Sequence, residues 1–98
     1  MRYLEFAASD DGQDRGSWEA MASVRAAELE AARAEAQQLL AAAQREAPGP
    51  RGPEEDGGCW DTELQEQSEA DGWTTITVTL TGPWDWGASL VQRFSDID

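Results

Sequence analysis

From Trp73 to Thr81 the chain alternates without a break, with Ile76, Val78 and Leu80 on one parity and Thr75, Thr77 and Thr79 on the other. A period of two sends successive side chains to opposite faces of a strand, and β-branched residues fit that pleated surface. One face is then apolar and the other wet, the arrangement of an antiparallel sheet covered on a single side. The stretch Cys59 to Gln67 answers it, with Trp60, Thr62 and Leu64 alternating with Asp61, Glu63 and Gln65, and Ala70-Asp71-Gly72 supplies the turn between the two. A β-hairpin is predicted here.

The remaining segments are read the same way. Met1 to Ala8 alternates with Leu4 and Phe6 opposite Tyr3 and Glu5, a half-buried strand, and the turn-rich run Ser9 to Gly16 ends it. Trp18, Ala20, Ala22 and Val24 then alternate with Glu19, Met21, Ser23 and Arg25, which reads as a second strand, although alanine, methionine and glutamate make helix a serious rival over 17–25. From Ala26 to Glu46 strong helix formers run without Gly or Pro, and Leu29, Ala32, Ala36, Leu39, Leu40, Ala43 and Ala47 step by three and four. Pro48 stops that helix. Ala47 to Gly58 holds three prolines, four glycines and the acids Glu54, Glu55 and Asp56, the composition of an exposed connector. Gly82-Pro83 suits an N-cap and first helical position, and Trp86, Leu90 and Phe94 follow at i, i+4 and i+8 as the stripe of a short second helix.

The order strand, strand, helix, strand, strand, helix predicts an α+β domain spanning 1–98. It is a two-layer ββαββα sandwich, with a four-stranded, mainly antiparallel sheet and two helices on one face. The strand order stays open. Twenty acidic residues against seven arginines give a net charge of −13, a balance found in disordered chains. Five tryptophans oppose that outcome, since each can bury roughly 150–250 Å². Cys59 is the only cysteine, so packing and not a disulfide must hold the fold, and a reducing cytoplasm suits it. Met1 to Ser9 is no signal peptide, being followed at once by acids, and no apolar run approaches the roughly 20 residues of a membrane span. The absence of lysine and asparagine beside abundant alanine, glycine and arginine fits a GC-rich, bacterial-type coding sequence.

Composition removes most chemistry. With no histidine and one cysteine, a single chain cannot assemble an imidazole or thiolate metal site or a histidine-assisted nucleophile. Asp10, Gly12 and Asp14 share the opening spacing of a calcium loop, but Arg15 stands where the turn glycine belongs and Met21 where a glutamate would close it. Cys59 lies near Glu55 and Asp61, an electronegative setting that blunts a nucleophile. No phosphate-binding glycine loop is present, and no carboxylate pair is singled out by spacing. The reading is therefore non-catalytic, with no cofactor.

The open face of the sheet carries the functional expectation. If Leu4, Phe6, Trp18, Ala22, Val24, Trp60, Leu64, Ile76, Val78 and Leu80 face the helices, the outward set includes Tyr3, Glu5, Glu19, Met21, Asp61, Glu63, Trp73, Thr75 and Thr77. Such a surface repels nucleic acid and anionic membranes and attracts basic proteins. An immunity or inhibitor type of binding module engaging a basic protein partner, as a monomer or homodimer, is the leading expectation. A nucleic-acid mimic, a homo-oligomerising structural module and a carboxylate-based enzyme are the alternatives. Trp73 is the best single candidate for an interface anchor, whereas Trp86 is expected in the core.

Overall fold

The stretch with the strongest conflict between propensity and pattern becomes the centre of the sheet. In a computed structural model, which describes residues 3–10, 12, 14–52 and 57–95, Arg15–Arg25 is an eleven-residue strand, β2. It pairs antiparallel with β1 (Glu5–Asp10) on one side and with β4 (Trp73–Pro83) on the other, the latter along its whole length. That pairing, with Trp18, Ala20, Ala22 and Val24 buried beneath it, outweighs the helix preference of its alanines. β3 (Asp61–Ser68) pairs antiparallel with β4 and completes the order β1-β2-β4-β3. Two hairpins thus lie side by side, with β1 and β3 as the edges.

Both helices cover the same face. α1 (Ala26–Arg45) follows β2 directly, and its small stripe of Ala32, Ala36, Leu39, Ala42 and Ala43 is buried against β2 and β4. Alanine at these positions lets the helix backbone approach the sheet closely. α2 (Trp84–Ser95) buries Trp86, Gly87 and Leu90 and packs on β1, β2, β4 and α1. The predicted α+β sandwich is the observed one.

Tryptophan fills the space between α2 and the sheet. Trp18 meets Trp84 with ring centroids 5.2 Å apart and Trp86 edge-on at 6.4 Å, and Trp86 meets Trp60 at 5.7 Å. Two of the indole N–H groups find backbone acceptors: Trp60 donates to the Gly49 carbonyl at 2.9 Å and Trp86 to that of Ala43 at 3.3 Å. Glycine makes room for the rings. A Cβ on Gly82 would lie 2.8 Å from Trp86, one on Gly16 2.6 Å from Trp84, and one on Gly87 would fall inside the envelope of Trp18.

Several boundaries differ from the sequence reading. β1 starts at Glu5 and runs to Asp10, because the Glu35 carboxylate on α1 accepts the backbone N–H groups of Tyr3 and Leu4 and fixes the chain ahead of the strand. Ser9 and Asp10 pair with Ser17 and Gly16, so the expected turn shrinks. Asp14 completes that turn with φ 64°, and its carbonyl accepts the N–H of Trp84 at 2.8 Å. Pro83 closes β4 opposite Arg15 and does not open α2. The connector is not wholly exposed: Gly58 is buried, and Arg51 and Trp60 form a parallel bridge in which Gly52 donates to Trp60 and Cys59 to Pro50, both at 2.7 Å. The acids Glu54, Glu55 and Asp56, with Asp11, lie outside the described residues. Leu64 keeps the predicted parity, opposite Val78, yet is 41% exposed at the edge of the sheet.

The glycine–tryptophan fit predicts that Gly87→Ala destabilises the protein. Alanine is the better helix former by about 1 kcal/mol, but overpacking against a rigid buried ring costs about 1–3 kcal/mol. The urea midpoint should fall, while Ser89→Ala, exposed on the same helix, leaves it nearly unchanged.

Candidate partner-binding face

Strand register assigns the open face residue by residue, because directly paired residues of an antiparallel sheet project to the same side. Across the order β1, β2, β4, β3 one row reads Ser9, Ser17, Thr81, Asp61. The next reads Ala7, Glu19, Thr79, Glu63, and a third Glu5, Met21, Thr77, Gln65. Ser23, Thr75 and Gln67 follow, then Arg25 and Trp73. Eight of the nine expected residues therefore share one surface: Glu5, Glu19, Met21, Asp61, Glu63, Trp73, Thr75 and Thr77.

Tyr3 does not join them. It precedes β1 in a bend, its N–H is held by Glu35 of the helix layer, and it packs half-buried against the core. Its parity predicts the open face only if the strand extends that far, and Glu35, distant in sequence, gives no local sign that it does not.

Side chains on the face differ in how firmly they are held. Met21 and Trp73 are 44% and 38% exposed, and with Leu64 they are the exposed large apolar residues among the described residues. The Arg25 guanidinium sits 4.7 Å from the Trp73 ring centroid and also donates to the Asp71 carbonyl, so a cation covers one side of the ring. Thr75 donates to Glu69 at 3.0 Å and lies 3.3 Å from the Ser23 hydroxyl. Gln65 donates to Glu63 at 2.9 Å. Arg15, opposite Pro83 at the far end of β2, and Arg25 are the basic residues of this parity, and Arg15 donates to the Cys59 carbonyl at 3.2 Å. Asp61 is taken by Arg51, at 3.0 Å.

The other ion pairs lie off the face. Arg33 on α1 donates through Nε to both carboxylate oxygens of Glu66 at 3.1 Å and also reaches Glu30. Arg93 on α2 pairs with Glu46 just past α1. These contacts move protonation equilibria. The Arg51 guanidinium, helped by the Thr62 N–H, holds Asp61 below the usual carboxylate range, and Arg33 does the same to Glu66. The two carboxylates in turn hold Arg33 above its ordinary value.

On the helix side, a shallow hollow of about 290 Å³ opens between α1 and β3, lined by Gln37, Leu40, Gln44, Arg51, Trp60, Thr62 and Leu64. The sequence reading missed it, since it depends on α1 leaving Leu64 uncovered. Among the described residues no group of three or more His, Cys, Asp or Glu side chains is placed to hold a metal ion, and no helix is long and apolar enough to cross a membrane. Fold and surface together define a two-layer α+β domain with an open, acidic, threonine-rich sheet face. Comparison with family models, curated proteins and solved structures finds no match for this chain.

The shifted carboxylates give a signed pH prediction. A depressed folded value means that Asp61 and Glu66 contribute stability above their unfolded values of about 4 and lose it as pH falls through the lower folded values. The Arg33→Gln/Arg51→Gln variant should match the parent below that window and be less stable above it. Because both pairs are solvent-exposed, the difference is small, and urea midpoints measured from pH 7 to pH 2 should converge on acidification.

Proposed function

We propose that this chain is a non-catalytic binding module that holds a basic protein partner on its open sheet face, in the manner of an immunity or inhibitor protein. The observation that carries the reading is the composition of that face. Glu5, Glu19, Glu63 and Asp61 lie on it against Arg15 and Arg25, the two arginines of the same strand parity, and Met21 and Trp73 stand exposed among them. Exposed aromatic and methionine side chains supply the apolar contact that interfaces concentrate at their centres. The surrounding carboxylates steer a cationic surface to them and reject anionic competitors. The single cysteine, Cys59, fits action in a reducing cytoplasm.

Nucleic-acid mimicry has weaker support, because imitating a duplex needs regular tracks of charge. Here Glu19 and Glu63 share a row but are separated by Thr79, and Glu5 lies in the next row beside Met21.

Capture on the immobilised chain from a lysate of its source, with the bound protein then identified, tests the proposal. A basic protein should be held at about 0.1 M salt and released near 1 M, where the screening length falls from about 10 Å to about 3 Å. Glu19→Arg/Glu63→Arg should abolish capture, and Glu28→Arg on the exposed side of α1 should not. A partner indifferent to both salt and face reversal would overturn the reading.

A further inference from the structure

The two edges of the sheet are not equally protected. At β3, Asp61, Glu63 and Glu66 place three carboxylates along eight residues, Arg33 reaches Glu66 from α1, and the connector pairs with Trp60 immediately ahead of the strand. At β1 the sequence Glu-Phe-Ala-Ala-Ser-Asp carries its two carboxylates only at its ends, Glu5 and Asp10, and has no proline, no basic residue and no bulge, since its register with β2 is continuous from Glu5 to Asp10. Ala7, Ala8 and Ser9 are all exposed. Among the described residues no strand pairs with the outer side of β1, so its outward N–H and C=O groups form an unguarded ladder.

Charge decides what fits there. A second copy brings another −13. Two-fold antiparallel registers that use most of the strand must pair residues of equal parity, which sets the partner's Asp10, a helix-side residue by its own register, opposite Leu4 or Phe6 and brings no cation to Glu5. A cationic strand meets the opposite conditions. It would lie about 4.8 Å beyond β1, with one residue opposite Glu5 and another, two positions along, opposite Ala7. Ala7 is too small to screen Glu19 behind it, so both positions look onto a carboxylate on the open face. The residue between them falls on the helix side, over half-buried Phe6.

Resting on the basic-partner reading, we propose that β1 accepts an extended segment of the partner by strand addition. The segment has the pattern basic, apolar, basic, which is the same in either strand direction. Backbone hydrogen bonds supply the attachment, and Glu5, Glu19 and Phe6 supply the selectivity.

The test uses the whole chain and a blocked heptapeptide, Arg-Val-Arg-Val-Arg-Val-Arg, with two controls: the same composition with its arginines contiguous, and the same sequence N-methylated at every amide, which blocks both of its edges. At low salt the alternating peptide should bind and slow amide exchange in β1. Both controls should bind about tenfold more weakly, the methylated peptide through the loss of two or more backbone hydrogen bonds and the contiguous one because it cannot set arginines opposite both Glu5 and Ala7 with an apolar residue over Phe6 between them. Ala7→Arg should weaken binding by a similar factor, whereas Ala31→Arg, which adds the same charge on exposed α1, should not. Equal binding of all three peptides, binding without protection of β1, or no binding at all overturns strand addition. So does a free protein that sediments as a dimer with β1 already protected. None of these results touches the acidic-face reading, which stands or falls on whether Glu19→Arg/Glu63→Arg abolishes partner capture.

Discussion

The contact of Trp18 with Gly87 sets the spacing of the whole molecule. Trp18 is almost fully buried on the central strand β2, and α2 can lie over it only because the helix presents a hydrogen atom at that point where other residues carry a methyl or more. Trp84 and Trp86 then close on the same ring from two directions, and Trp60 extends the cluster to the start of β3. Gly16 and Gly82, paired across β2 and β4, clear the sheet backbone for Trp84 and Trp86. One aromatic nucleus thus joins β2, β4, α2 and the end of the connector. The alanine face of α1 needs no such device, since its side chains are already small enough for close approach.

Those two modes of packing account for what could be read in advance. Period-two alternation in β4 and period-3.6 alternation in α1 are local signals, and both elements appear close to where the pattern puts them. The extent of β1 is not local. It is set by Glu35, more than thirty residues away, accepting the N–H groups of Tyr3 and Leu4, and by Gly16 pairing with Asp10 where the composition alone suggests a turn. Pro83 shows the same limit: its φ suits either a helix start or a strand end, and pairing of Arg15 across from it selects the strand.

The face itself was legible because parity survives small errors in element ends. Shifting the start of a strand leaves its in/out assignment intact, provided no residue is inserted. Eight residues therefore fall on the surface that alternation predicts, and Tyr3 falls off it because the strand has not yet begun. Exposure was less legible. Leu64 has the parity of Val78 and Leu80, but an edge strand is covered only as far as the helix above it reaches, and α1 leaves its outer side open.

Arginine placement gives the acidic excess its shape. Arg33 ties α1 to β3, Arg51 ties the connector to β3, and Arg93 ties α2 to the end of α1. Each spends its charge on holding elements together, Arg51 doing so on Asp61 of the open rows, and the two arginines of those rows are engaged as well, Arg25 against Trp73 and Arg15 on the Cys59 carbonyl. With only seven arginines against twenty acids, three bound in clamps and one in a stack leave few to neutralise the sheet face. Glu5 and Glu19, near the unguarded edge, have no ion pair among the described residues. Apolar anchors and uncompensated carboxylates on one open surface support binding there more strongly than net charge does alone.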